Sequence, residues 1–332
     1  MKKIKVAING FGRIGRVFLR VAITRPDIQI VAINDLTDSK TLAHLLKYDS
    51  VHGKFDGFIS IEGDYLIVNN QRILITANAD PAKLPWKALD VDVVLESTGF
   101  FLDKASAQKH LDAGAKKVLL SAPPKDNDIK TIVMGVNDSI LSKDDVVISN
   151  ASCTTNCAAP MIKVLLKWGI EDVYISTVHA YTGDQRLHDA PHKDLRRGRA
   201  AALNIVPTST GAAKATTKIF PELEGKVGGC GIRVPVPDGS LTDITCILER
   251  HAEPKEINEE FKRAAQEELK GVLEYTEDPI VSSDIVGNPH SCILDAEFTA
   301  VVGNMVKIIG WYDNEGGYSN RLADVIEKWF SL

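Results

Sequence analysis

The sequence predicts an α/β fold for its first half and an α+β fold, on a largely antiparallel sheet, for its second. Three features lead there. Short β-rich runs alternate with helical runs through the first half, the pattern of a parallel sheet with crossover helices. The first crossover opens with Gly10-Phe11-Gly12-Arg13-Ile14-Gly15, a G-x-G-x-x-G spacing between a strand and a helix that marks a Rossmann dinucleotide-binding domain. In the second half, long β-branched strands follow the helices in an antiparallel-leaning set. At 332 residues the chain exceeds one ordinary domain. The expected division is 1–150 and 151–315, with a last helix, about 316–332, packing back on the first domain.

In order, Lys3 to Asn9 (KIKVAIN) is a strand, Arg16 to Ile23 a helix, and Ile28 to Asn34 a second strand ending at Asp35. Gly10 allows a tight turn, Gly12 close backbone approach to a pyrophosphate, and Gly15 close helix–strand packing, while the helix N-terminus holds the phosphates. Asp35, about twenty positions past the last glycine, would bind the adenosine ribose hydroxyls and repel a 2′-phosphate, favouring NAD over NADP. Between Phe55 and Thr76, alternating runs broken by Gly63 and Asn69-Asn70 suit antiparallel hairpins at the sheet's edge. Asp92 to Ser97 is a strand, Asp103 to Ala113 a helix and Lys117 to Ser121 another strand. Ligands of parallel sheets lie over the strands' C-terminal ends, so Ser97, Thr98, Gly99 and Ser121 should line the nicotinamide half of a cleft.

The stretch Asn150-Ala151-Ser152-Cys153-Thr154-Thr155-Asn156-Cys157 follows a buried strand, Val146 to Ile148, and precedes a helical run, Ala158 to Trp168, stopped by Gly169. Cys153 therefore sits at a strand-to-helix corner, in or near the helix's first turn. Unsatisfied N–H groups and the positive end of the helix dipole stabilise a thiolate there, so Cys153 is expected to be ionised at neutral pH. Ser152 and Thr154 can cap the helix and offer hydroxyls to an oxyanion. A lone cysteine is otherwise more often a small buried residue; its place at this corner makes Cys153 the candidate nucleophile.

Asp172 to Tyr181 (DVYISTVHAY) is the next element and carries His179, with Thr182 just after it. A thiol needs a base and later an acid, and sequential elements usually meet in space. His179 is the best candidate among eight histidines. Gly183 to Pro207 lacks periodicity, and loops of that length are usually functional or held at an interface. Its basic run, Lys193 to Arg199, contains the acidic Asp194 and suits ordering by a neighbouring subunit or an anion better than nucleic acid. Thr208-Ser209-Thr210-Gly211 before a helix opening at Ala212 forms an anion site or an ordinary N-cap. Arg233, inside the apolar strand Gly231 to Pro235, needs a partner, which a substrate phosphate would supply. Strands Leu241 to Leu248, Cys292 to Val302 and Met305 to Trp311, with helices Pro254 to Leu269 and about Gly317 to Phe330, complete the scaffold.

Composition excludes several classes. A formal net charge of -5 gives no support for a general nucleic-acid binder. No apolar segment approaches the ~20 residues that span a bilayer, and the charged N-terminal run breaks at Gly10, too early for a signal peptide. Five cysteines, an odd number, fit a reducing cytoplasm rather than a disulfide framework. No further Cys or His lies at ligand spacing beside Cys153 and Cys157, so no metal is expected.

The segments INGFGRIGR, INDLTD, ESTG, SNASCTTNC, TVHAYTGDQ, PTSTGAAKA, RVPVPDGS and WYDNEGGYS span essentially the whole chain. In them the sequence resembles the phosphorylating glyceraldehyde-3-phosphate dehydrogenase family. The resemblance implies that Cys153 attacks the aldehyde of glyceraldehyde 3-phosphate, that His179 assists, that hydride passes to NAD, and that inorganic phosphate releases the acyl group from a thioester. It assigns Arg13, Ile14, Asp35, Ser121 and Asn314 to NAD, with Asn314 on the nicotinamide carboxamide. Ser152, Thr154, Thr182, Thr210, Gly211 and Arg233 would form two anion sites, assisted by Arg196, Arg197 or Arg199. The loop at about 180–207 resembles the family's S-shaped loop and implies a homotetramer. Two positions depart from the family's pattern. Ala79 stands where many relatives carry an adenine-side Arg, and Ala190 where Leu accompanies NAD specificity; Asp35 and Pro191 still favour NAD. Erythrose-4-phosphate dehydrogenase, a relative with water as acyl acceptor, is the runner-up. A redox sensor or RNA-binding scaffold on the same fold would bind without turnover.

Overall fold

A computed structural model describes residues 3–332; Met1 and Lys2, the start of the charged N-terminal run, lie outside the described residues. The chain divides into two compact units. The first runs to Ile132 and takes in Ser139–Ala151 and Ser319–Leu332; the second is Val133–Asp138 with Ser152–Tyr318.

The first unit contains, in order, β1 (Ile4–Asn9), α1 (Arg13–Ala22), β2 (Ile28–Asn34), α2 (Ser39–Lys47), β3 (Ile59–Glu62), β4 (Tyr65–Val68), β5 (Gln71–Thr76), α3 (Trp86–Leu89), β6 (Val93–Glu96), α4 (Lys104–Asp112), β7 (Lys117–Leu120), β8 (Lys130–Thr131) and β9 (Val147–Ser149). Its sheet runs β3-β4-β5-β2-β1-β6-β7-β9-β8. All pairings from β5 to β8 are parallel, and β3-β4-β5 is the antiparallel edge. The inner strands bury both faces, which is why Val93, Val94 and Leu95 of β6 are apolar in succession. Helix α1 begins three residues before the apolar periodicity does, because Arg13 and Ile14 are half-buried at the mouth of the glycine turn. Helix α2, which the sequence reading did not include, buries Leu42, Ala43 and Leu46, and the Asp38 side chain caps it by accepting from Thr41 N at 2.9 Å. In the C-terminal helix Gly316–Ser331, Trp329 Nε1 donates to Ser142 O at 3.1 Å, and Asp324 and Glu327 pair with Arg25.

The second unit contains, in order, α5 (Cys153–Leu165), β10 (Ile170–Ala180), β11 (Val206–Thr208), α6 (Ala212–Ile219), β12 (Val227–Val234), β13 (Ser240–Leu248), α7 (Pro254–Gln266), β14 (Leu273–Thr276), β15 (Cys292–Val302) and β16 (Met305–Tyr312). Its sheet runs β11-β12-β10-β13-β16-β15-β14. Four pairings are antiparallel, and β10-β12 and β15-β14 are parallel. Along β10, Val173, Ile175, Thr177 and His179 are buried on one face. The parallel register sets His179 beside Arg233 of β12. From Tyr181 to Ile205 the chain makes only turns, bends and irregular segments.

Candidate active site

Cys153 opens α5 as its first helical residue, half-buried. Ser152 is the N-cap: its Oγ accepts from Thr155 N at 3.1 Å. The preceding Ala151 is fully buried in a left-handed conformation, φ 55°, which an alanine adopts only when its surroundings hold it there. That bend turns the chain from β9 into α5. Cys153 Sγ lies 3.4 Å from His179 Nε2, and His179 Nδ1 lies 2.7 Å from Ala180 O. Arg233 NH1 approaches both His179 Nδ1 at 2.7 Å and Ala180 O at 3.0 Å. Protonated at Nδ1, the imidazole donates to Ala180 O and leaves Nε2 able to accept the thiol proton, with Arg233 NH1 then donating to Ala180 O; unprotonated at Nδ1, it would instead accept from Arg233 NH1.

Burial works against the ionised thiol expected from the sequence. Burial pushes the Cys153 thiol up to about 11, against the opposing pull of the Arg233 guanidinium. Burial also pushes the His179 imidazole down to about 3, and Arg233's charge adds to that shift. The helix dipole is worth roughly 0.3–1 kcal/mol at an exposed position, less than the cost of dehydrating a thiolate. The resting groups are therefore driven toward neutral thiol and neutral imidazole rather than a free-standing thiolate.

Tyr312, unremarked in sequence, organises the site from below. Its hydroxyl bridges Thr154 Oγ1 and Thr177 Oγ1, each at 2.9 Å, and its ring meets the His179 ring edge-on with centroids 6.0 Å apart. The hydroxyl of Thr154, an expected anion ligand, is thus engaged inside the unit. Arg233, expected to await a phosphate, already has Ala180 O as a partner. Thr182 is half-buried and its carbonyl accepts from Gln185 N at 2.9 Å. Thr210 Oγ1 accepts from Ala212 N at 3.2 Å, and Gly211 is the exposed N-cap of α6. Among the loop arginines, Arg197 reaches this region: Nε donates to Thr208 Oγ1 at 2.9 Å and NH2 to Ser209 O at 3.2 Å. Arg199 pairs with Asp189 at the surface, and Arg196 is exposed. Asn314 is 5% exposed, and its Oδ1 lies 2.5 Å from Ser240 Oγ.

In the first unit a cavity of about 350 Å³ is lined by Gly10, Gly12, Asp35, Ala79, Ser97 and Thr98, among others. The glycines fit a dinucleotide for separate reasons. Gly10 has φ 93°, and a Cβ there would lie 2.7 Å from Thr98 N. A Cβ on Gly15 would strike Gly10 O, so helix and turn need a bare backbone. Nothing lies within 4 Å of a Cβ built on Gly12; its bareness serves open space. Gly12 supplies no side-chain cap, so the first-turn N–H groups of α1, at Arg13 and Ile14, suit an anion. Asp35 accepts from Phe11 N at 2.7 Å and Thr37 N at 3.0 Å, and Ser97 Oγ donates to Gly10 O at 2.7 Å. Gly99 and Ser121 follow the ends of β6 and β7. The Arg13 side chain turns elsewhere, into a bidentate ion pair with Asp49 at 2.5 and 3.1 Å. Beneath the cavity, buried Glu96 accepts from Asn9 Nδ2 at 2.6 Å and Thr98 N at 2.8 Å and meets His110 Nε2 at 3.2 Å. Trp86 Nε1 donates to His110 Nδ1 at 3.1 Å, so Nε2 carries the proton given to Glu96.

A Rossmann unit with an open glycine turn, joined in one chain to a unit with a paired Cys and His at a helix start, defines the class of thiol-dependent, dinucleotide-linked oxidoreductases. Residues 4–104 match the family description "Glyceraldehyde 3-phosphate dehydrogenase, NAD binding domain", and residues 152–314 match "Glyceraldehyde 3-phosphate dehydrogenase, C-terminal domain". Glyceraldehyde-3-phosphate dehydrogenase 1 of Bacillus subtilis (strain 168) is 55% identical over 325 residues, covering 97% of each chain. The glyceraldehyde-3-phosphate dehydrogenases of Mycolicibacterium smegmatis and Geobacillus stearothermophilus are each 55% identical, over 332 and 325 residues, again covering 97% of each chain. The chain belongs to the glyceraldehyde 3-phosphate dehydrogenase family.

Proposed function

We propose that this chain oxidises glyceraldehyde 3-phosphate with NAD and passes the acyl group to inorganic phosphate, giving 1,3-bisphosphoglycerate. The observation that carries the chemistry is the 3.4 Å approach of Cys153 Sγ to His179 Nε2. The thiol proton moves to Nε2 as sulfur bonds to the aldehyde carbon, and the imidazolium returns it to the new oxyanion, leaving a thiohemiacetal. His179 then takes the hydroxyl proton as the C–H electron pair leaves, and the carbon becomes a thioester. Bound NAD supplies the hydride acceptor for that step. A phosphate oxygen attacks the thioester, the C–S bond breaks, and the departing sulfur recovers its proton from His179. Sulfur suits this sequence because a thioester retains oxidation energy that an oxygen ester would release.

The side chains divide the binding. Ile14, with the backbone N–H groups at the start of α1, holds the pyrophosphate; the backbone of Arg13 contributes there, since its guanidinium is paired with Asp49. Asp35 takes the ribose hydroxyls, and Asn314 takes the carboxamide. Thr182, Thr210, Gly211, Arg233 and Arg197 supply the anion sites, while Ser152 and Thr154 chiefly hold α5. A homotetramer in the cytoplasm is the working form; the exposed Leu187, Leu195, Leu203 and Ile205 of the long loop support its being covered. Among the described residues no helix is long and apolar enough to cross a membrane.

The test is NADH formation from glyceraldehyde 3-phosphate with and without phosphate or arsenate, in wild type and Cys153→Ser. Turnover should require the anion and fall by orders of magnitude in the variant. Undiminished turnover without either anion defeats the phosphorylating reading in favour of water as acceptor.

A further inference from the structure

We infer that Ser240, which belongs to neither anion site, is a positioning residue whose hydroxyl sets the direction of the Asn314 amide and ties it to the residue beside the general base. Ser240 is the first residue of β13, has no solvent exposure, and lies opposite Tyr312 in the register with β16. Its Oγ stands 3.0 Å from Ala180 N and 2.5 Å from Asn314 Oδ1. A backbone N–H can only donate, so Ser240 Oγ accepts from Ala180. The hydroxyl's own proton then goes to Asn314, and the amide atom that receives it must be oxygen. An amide's oxygen and nitrogen point opposite ways, so the Nδ2 donors face away from Ser240. The same Ala180 receives His179 Nδ1 and Arg233 NH1 on its carbonyl, at 2.7 and 3.0 Å.

One buried hydroxyl thus does two things. It removes the rotational choice of Asn314, presenting donors rather than an acceptor to a bound carboxamide carbonyl. It also fixes the spacing between that amide and the base that must act on the same carbon from which hydride leaves. Orientation of this kind lowers a barrier without touching the reacting atoms. The inference rests on the assignment of Asn314 to the cofactor's carboxamide.

The experiment compares the full-length protein with Ser240→Ala, Ser240→Thr, Asn314→Ala and the double variant Ser240→Ala/Asn314→Ala, each checked for folding by circular dichroism. Three readouts are kcat/KM for NAD, the fidelity of deuteride transfer to one face of the ring, and cofactor-free alkylation of Cys153 by iodoacetamide. Ser240→Ala is expected to lower kcat/KM for NAD about tenfold to a hundredfold, in line with a lost buried hydrogen bond and its consequences. It should let measurable deuterium onto the opposite face, change alkylation by less than about twofold, and add little in the Asn314→Ala background. Ser240→Thr, which keeps the hydroxyl, should restore facial fidelity. Unchanged NAD kinetics in Ser240→Ala beside impaired Asn314→Ala overturns the role of the serine. Effects of the two that simply add overturn its action through Asn314. Normal NAD kinetics in Asn314→Ala overturns the cofactor assignment itself, whatever the serine does.

Discussion

Replacing His179 by Asn removes the imidazole nitrogen placed 3.4 Å from the Cys153 sulfur while keeping a side chain of similar reach. The structure brackets the cost. Without the imidazole, nucleophile formation depends on how much thiol is ionised unaided. An ordinary thiol near 8.5 is ionised only to about 3% at pH 7, a loss of about thirtyfold. A thiol held at about 11 by burial is ionised to roughly one part in 10⁴. The fall in acylation rate at pH 7 should lie between those limits, consistent with the 10²–10⁴ range typical of a positioned base. The sign with pH follows. A thiol raised by burial gains reactivity as pH rises, so the variant's single-turnover rate should climb about tenfold per pH unit above neutrality, until the thiol's own titration. Wild type, with an internal acceptor, should be much flatter. The assay is the burst of NADH from glyceraldehyde 3-phosphate between pH 6 and 10, with iodoacetamide labelling of Cys153 in parallel. A variant within a few-fold of wild type at pH 7, with no added pH dependence, would refute the reasoning.

Three further outcomes are expected. Burial opposes ionisation of Asp49, but the hydrogen bonds from Arg13, His52 N and Val51 N overcome it and hold the carboxyl at about 2, below its ordinary 3.8. Its stabilising contribution is therefore complete above about pH 4 and is lost as pH falls through about 2; after discounting for the half-exposed Arg13 it amounts to about 1–2 kcal/mol. Asp49→Asn should flatten that acid limb in urea unfolding. Tyr312→Phe leaves two buried threonine hydroxyls without their shared partner and should cost about 1–3 kcal/mol, seen as a lower urea midpoint with an unchanged slope; no loss of stability would deny the bridge. Gly10→Ala drives a Cβ to 2.7 Å from Thr98 N at φ 93° and should abolish NAD binding in calorimetry while destabilising the first unit; a variant that binds normally would remove the steric argument.

Much of this was legible because the signals are local. The G-x-G-x-x-G turn, the Ser152 cap and the strand bearing His179 each lie within a few residues of their own pattern. What escaped is non-local or energetic. Tyr312 joins threonines 158 and 135 positions away, and no window of sequence contains both. The choice of Arg197 among three loop arginines depends on where Thr208 and Ser209 return beside it. The opposition to charge at Cys153 escaped for a physical reason: a helix dipole can be read from sequence, but the dehydration that works against it depends on everything packed around the sulfur. The pairing of the Arg13 guanidinium escaped in the same way, since Asp49 sits 36 positions on.

The empty space over Gly12 separates architecture from chemistry. Unlike Gly10 and Gly15, this residue could gain a methyl group that meets no residue beyond its chain neighbours within 4 Å, yet that methyl would occupy room a diphosphate needs. One codon change could therefore yield a polypeptide that folds normally while being catalytically silent. Such a silent scaffold is a clean background for separating any moonlighting role of the chain from its turnover.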